Sequence, residues 1–146
     1  MAVTIRAATP KDAGVLACLV TQLGYPSTEQ DVLARLGYWT ADPHSQVLVA
    51  DQDDRPLGCL SVHAVPYFER TGSWARIESL VVDEALRGRG VGKALLNAAE
   101  ALAKRWGCLA VEVTSSRHRT DACAFYQRSG YTDICDRSRR FWKRLG

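Results

Sequence analysis

The sequence has no apolar stretch near the roughly 20 residues a membrane-crossing helix needs. Its opening MAVTIRAATP also lacks an apolar signal core. No membrane contact and a cytoplasmic location are therefore the expectations. C-x-x-C spacing is absent too: Cys18, Cys59, Cys108, Cys123 and Cys135 are odd in number, scattered and mostly set among apolar neighbours. That argues against a disulfide framework or a zinc site and for reduced, mostly buried thiols, with no metal expected. Histidines are few, and nothing in the spacing sets His44, His63 or His118 beside a cysteine for thiol catalysis. Charge of one sign is scarce as well. Nineteen basic against 16 acidic residues leave +3, too little to argue a nucleic-acid partner from bulk charge. With no linker, repeat or single-residue tract, 146 residues read as one domain, 1–146, long enough to bury a core.

Hydrophobic periodicity is plentiful. VTIRAA (3–8) reads as a strand, and Thr9, Pro10 and Asp12 announce a helix to about Gln22. Ser27 with Gln30 has capping-box form, predicting a helix over 28–39 with Val32, Leu33, Leu36 and Trp39 inward. QVLVAD and PLGCLSVHAV read as a hairpin around the polar DQDD. ARIESLVVD (75–83) ends in a continuous apolar run, which predicts burial on both faces at the centre of the sheet. Val91, Ala94, Leu95, Ala98, Ala99 and Leu102 stripe a helix over 91–106. CLAVEVTSS (108–116) is a further strand, TDACAFYQRSG a short helix stopped at Gly130, and the tail is expected to add strands near 131–135 and 139–145. The order predicts a mixed α/β fold with a β-α-β crossover at its glycine segment.

That segment, RGRGVGK (87–93), places three glycines and three cations where a strand hands over to a helix. The first helical amides lack partners within the helix and the aligned peptide dipoles are positive there, so an anion fits. Gly88, Gly90 and Gly92 let a phosphate approach the backbone, and Arg87, Arg89 and Lys93 add charge. A P-loop would need glycine at Arg87 and a hydroxyl at Ala94; a Rossmann turn starting at Gly88 would need glycine at Lys93.

What remains is R-x-x-G-x-G, carried by Arg87, Gly90 and Gly92. It resembles the acetyl-coenzyme A (acetyl-CoA) pyrophosphate motif of the GNAT N-acetyltransferase superfamily. HRTDACAFYQRSGY resembles that family's second signature, A-x-x-F-Y-x-x-x-G-[FY], through Ala122, Phe125, Tyr126, Gly130 and Tyr131. The resemblance implies the GNAT fold: a mixed central β-sheet with splayed central parallel strands, flanked by about four helices.

It also implies transfer of acetyl from acetyl-CoA, as cosubstrate, directly to a primary amine of a small molecule or protein. Leu80, Val81 and Val82, together with Thr114 and Ser115, would take the places that receive the pantetheine arm as a false strand. Val91 lies within the pyrophosphate loop. Arg119 stands where many members have asparagine and would serve the phosphates. Glu78 is the expected base, against a competing reading in which it merely pairs with Arg76; Glu112 is a second carboxylate on a neighbouring strand. Tyr126 takes the acid position, or else only lines the site. A rival functional reading is an inactive acetyl-CoA-binding domain with a sensing or regulatory role.

Tyr25, Tyr38, Trp39, Tyr67, Phe68 and Trp74 are candidates for the acceptor side. The tail RSRRFWKRL interleaves cations with aromatics as single-stranded nucleic-acid binders do. Its Phe141 and Leu145 suit an edge strand better, so no nucleic acid is expected. A homodimer paired through such an edge near Phe141 and Trp142 is the expectation.

Overall fold

Arg6 ties the first strand to the first helix. β1 (Thr4–Ala7) carries the guanidinium to both oxygens of Asp12, at 2.8 and 2.9 Å, and on to Asp51 at 3.3 Å. Asp12 also accepts from the Thr9 backbone at 2.8 Å, which starts a 3-10 turn at Pro10–Asp12 running into α1 (Ala13–Leu23). The structure is a computed structural model that describes residues 2–115 and 119–146. These fall into two compact units, residues 1–114 and 115–146.

In the first unit, α2 (Glu29–Ala41) is capped by Thr28 and Asp31 rather than by Ser27 and Gln30. The neighbouring hydroxyl wins because its Oγ1 reaches the third helical amide while Asp31 returns to the Thr28 amide, the reciprocal pairing a capping box requires. Ser27 instead turns its hydroxyl to the Tyr25 carbonyl. Val32 and Leu36 are buried as expected, but Leu33 faces solvent and Trp39 is half-buried.

The sheet runs β1, β2 (Ser45–Gln52), β3 (Arg55–Pro66), β4 (Ser73–Val82), β5 (Val111–Val113) in that spatial order. Its first three pairings are antiparallel, and β4 with β5 is parallel. The β2–β3 hairpin turns at Asp53 and Asp54, both left-handed (φ 51° and 63°), a conformation aspartate tolerates in two-residue turns. β3, not β4, is the middle strand, with residues Pro56 to Val62 buried without interruption. β4 departs from the expected double burial at its end: Val81 is buried, whereas Leu80 and Val82 are only partly covered. The cause lies in the pairing. β5 matches β4 only over Ala75–Ile77, and among the described residues nothing pairs with β4 on that side from Glu78 onward.

Helices cover both faces of this sheet. Cys59, Val49 and Val81 pack with α1 and α2 around Leu16, Leu19, Val32 and Leu36. Gly58, adjacent to Cys59 and so turned to the opposite face, lies against Leu95 of α3 (Val91–Arg105), where a Cβ would meet the Val81 carbonyl at 2.8 Å. On α3, Val91, Leu95, Leu96, Ala99 and Ala103 are buried, while Ala94, Ala98 and Leu102 are half-buried, so the inner stripe is turned slightly from the predicted one.

Described by itself, the second unit contains α4 (Thr120–Arg128). Gly130, at φ 91°, closes it: its amide donates to the Gln127 carbonyl and the Tyr131 amide to that of Tyr126, at 3.1 and 3.0 Å. Neither expected tail strand forms; among the described residues no strand follows Val113. Arg137, Arg139, Arg140, Lys143 and Arg144 crowd one charge sign into this segment, and a strand without a partner edge has no ladder to offset that repulsion. Phe141, Trp142 and Leu145 are exposed, so the edge on which the dimer expectation rested is absent. Ser116, the last residue of the strand predicted over 108–116, and His118, which opens the second motif, lie outside the described residues. Of the cysteines only Cys59 is buried; Cys18 and Cys135 are exposed and Cys108 and Cys123 intermediate, because most of these positions lie on helix flanks or outside regular elements rather than in the sheet. No described helix is long and apolar enough to cross a membrane.

Candidate functional site

Two features of β4 converge on chemistry. At its C-terminal end the Asp83 carboxylate accepts from Ala85 at 3.2 Å and starts a 3-10 turn over Glu84–Leu86. Glu84 N–H also donates to Gln22 Oε1 at 3.0 Å, fixing the loop to the end of α1. The chain then passes through Arg87 and the left-handed Gly88 and Gly90 (φ 80° and 83°), the latter capping α3. Ala94 N–H to Gly90 O, at 3.1 Å, opens the helical ladder, so the amides of Val91, Gly92 and Lys93 lie ahead of it. A Cβ at Gly88 or Gly90 would meet nothing within 4 Å, so the space beside these two glycines is open. Arg87, Arg89 and Lys93 are exposed, and the first turn of α3 has no acidic residue to compete with an incoming anion.

The second feature lies in mid-strand. Ser61 pairs with Ser79 but Val62 pairs with Ile77, so Glu78 is the extra residue of a β-bulge. A bulge leaves one residue unpaired and re-aims its side chain. Glu78 is also the first residue beyond the last β4–β5 pair, so the bulge and the parting of the strands coincide. Its Oε1 accepts from Arg76 Nε at 2.7 Å and meets His63 Nε2 at 3.1 Å. Arg76 Nη1 also donates to Glu112 of β5. Trp39 of α2 sets its ring edge-on to His63, 5.6 Å between centroids, which places the cluster on the α2 face of the sheet. Farther along the same strands, Tyr67 stacks on Trp74 at 4.7 Å and Arg70 lies over Tyr67.

Burial pushes the Glu78 carboxyl up, but hydrogen bonds from His63 and Arg76 outweigh it and hold the group below the ordinary carboxylate range. Glu78 is therefore ionised at neutral pH. The pairing with Arg76 that competed with a catalytic reading is real, yet about 40% of the Glu78 side chain stays exposed, so it remains reachable. His63, which the sequence left unassigned, enters this cluster through strand register, because it faces Arg76 across the β3–β4 pair.

Leu80, Val81 and Val82 occupy the stretch of β4 beyond the bulge. Of the remaining expected residues, Ser115, Arg119 and Tyr126 belong to the second unit. Arg119 immediately precedes α4, and Tyr126 lies within it, its ring edge-on to Phe125 and Tyr131 at 5.3 and 5.9 Å. Burial first, and the charge of Cys123 second, push the Tyr126 phenol above its ordinary value. No described group of three or more His, Cys, Asp or Glu residues could hold a metal.

The model of the Acetyltransferase (GNAT) family matches residues 16–131. This chain belongs to that family. Among curated relatives, the aminoalkylphosphonate N-acetyltransferase of Salmonella typhimurium is 28% identical to this GNAT chain over 132 residues, which cover 87% of the chain and 83% of the relative. Among solved structures, a transcriptional regulator from Bacillus halodurans matches it with TM-score 0.86 at 25% identity, over 99% of this chain and 100% of that one. The aminoglycoside N-acetyltransferase AAC(6')-Iy in complex with CoA matches at TM-score 0.84 and 20% identity, over 99% and 95%, a likeness of fold. The architecture is thus the GNAT fold, and acetyl-CoA is the cosubstrate the family uses.

Proposed function

We propose that residues 1–146 act as one N-acetyltransferase domain that moves acetyl from acetyl-CoA directly to a primary amine of a small molecule or protein. The observation that carries this reading is the coincidence at Glu78: an ionised carboxylate on a bulge, where β4 loses its β5 neighbour, on the strand that leads into the R-x-x-G-x-G loop. The amides of Val91, Gly92 and Lys93, with Arg87 and Arg89 beside Gly88 and Gly90, receive the pyrophosphate. Leu80 to Val82, with Ser115, offer backbone to the pantetheine arm, and Arg119 supplies a further cation for its phosphates.

Glu78 draws in the ammonium, and a base beside it takes one of the nitrogen's protons. The freed nitrogen bonds the thioester carbon, the C–S bond breaks, and the thiolate takes a proton from Tyr126. A phenol raised above its ordinary value is protonated throughout the physiological range and so is ready to donate. Proximity and proton transfer together supply the catalysis, without a covalent enzyme intermediate.

Release of free coenzyme A across a panel of amines tests the proposal. The panel includes amino acids, polyamines, aminoglycosides, peptide N-termini and, after the name of the Salmonella relative, aminoalkylphosphonates. Turnover on one class supports it. Tight acetyl-CoA binding with no release on any amine favours the rival reading of a non-catalytic sensing or regulatory domain.

A further inference from the structure

The proposed transfer needs a group that accepts the amine's proton near neutral pH, and a carboxylate held below its ordinary range is poorly matched to that task. Proton transfer is most effective when the acceptor's affinity lies near the working pH. An imidazole, with an ordinary pKa of about 6.5, lies much nearer. One stands against Glu78.

We propose that His63 accepts the proton of the amine substrate, and that Glu78 orients its ring and balances its charge. This rests on the acetyl-transfer reading and assigns the proton step within it. An ionised carboxylate has only acceptor oxygens, so the 3.1 Å contact requires the hydrogen on His63 Nε2. That leaves Nδ1 with the lone pair. Trp39 abuts the ring at 70° between planes and restricts its swing. With 30% of the side chain exposed, the ring can return its proton to water after each turnover.

Charged groups surround the ring. From β4, Glu78 pairs with it, and the Arg76 guanidinium is shared between Glu78 and Glu112 of β5. Beyond α2, Asp42 is held below its ordinary range by the His44 amide first and the Ser45 hydroxyl second, with the charges of His44 and His63 adding to the effect. From α2 the neutral Trp39 packs edge-on to the ring, and Ser45 faces His63 from β2. In the step itself an N–H bond of the ammonium breaks and an Nδ1–H bond forms. The imidazolium pairs with Glu78, and the amine's freed electron pair attacks the thioester carbon.

The test compares pH profiles of kcat/KM for an accepted amine in the parent, His63→Gln and Glu78→Gln, with the imidazole resonances followed by NMR in each intact chain. The parent rate should fall on the acidic side with the pKa of the His63 resonance. His63→Gln should lose that limb and about 10²-fold in rate at neutral pH with KM for acetyl-CoA unchanged. In Glu78→Gln, where the ring loses the carboxylate that orients it, kcat should fall with KM for acetyl-CoA unchanged. Free imidazole should partly restore His63→Ala, which a merely structural histidine would not permit. A His63→Gln enzyme that keeps the parent's acidic limb overturns the proposal while leaving acetyl transfer intact. A parent that releases no coenzyme A with any amine overturns the transfer reading, and this role with it.

Discussion

At the scale of single residues, a titratable side chain serves stability in one place and, on the proposed reading, reaction in another. Asp12 is almost fully buried, and its carboxyl is held below 3.8 chiefly by the Arg6 hydrogen bonds, against burial, with Thr9 assisting. Because the folded value is depressed, its contribution is fully present above 3.8 and disappears as pH falls through the folded value. Asp12→Asn should therefore cost about 2 kcal/mol at pH 7 by chemical denaturation. That gap from the parent should narrow once the pH drops below 3.8, and an equal gap at every pH would show that the charge of Asp12 contributes nothing. Tyr126 carries the proposed reactive role. If it protonates the leaving thiolate, Tyr126→Phe should keep acetyl-CoA affinity and lower kcat by about 10²-fold, since the interaction is made mainly in the transition state. Parent-like kcat on a substrate whose chemical step limits turnover would reduce the tyrosine to a wall of the site.

Among the elements, the glycine loop is the one whose shape the sequence announces and the coordinates bear out. Gly90 caps α3 at φ 83°, a region that costs residues with a Cβ about 1–2 kcal/mol. Gly90→Val has no neighbour to clash with, so the variant should fold while its side chain screens the Val91 and Gly92 amides. Calorimetry should then find acetyl-CoA binding lost, and unchanged affinity in a folded variant would place the cradle elsewhere. Periodicity made α1, α2 and α3 legible because each buries a stripe of its own, and the β2–β3 hairpin was legible from two apolar runs around a polar turn. The tail misled for the opposite reason. Phe141 and Leu145 have the spacing of an edge strand, but pairing is a property of two strands, and nothing in one segment of sequence reveals whether a partner edge is present. The Ser27–Gln30 cap failed more narrowly, since two adjacent hydroxyls offered the same signature one residue apart.

For the whole molecule, legibility followed sequence distance. The R-x-x-G-x-G loop lies within seven consecutive residues and could be read directly, whereas the Glu78 cluster joins His63, Arg76 and Glu112 through the register of three strands. The bulge that re-aims Glu78 leaves no mark in composition, because one extra residue in a strand alters pairing and not pattern. The +3 net charge is similarly uninformative about the partner: the proposed attraction of a polyanionic cosubstrate rests on the local set Arg87, Arg89 and Lys93. This yields a prediction for the folded chain as a unit. A ligand that binds only the native state stabilises it by about 2.7 kcal/mol at a hundredfold excess over Kd, so acetyl-CoA should raise Tm in a concentration-dependent way. The Debye length shrinks from about 10 Å at 0.1 M salt to about 3 Å at 1 M, so the rise should diminish with salt at fixed acetyl-CoA. It should diminish further in Arg87→Gln/Arg89→Gln, whose remaining dependence on salt should be shallower than the parent's. A rise that ignores salt would assign the affinity to backbone amides and apolar contacts alone, and no rise at saturating acetyl-CoA would remove the cosubstrate from the account of this chain.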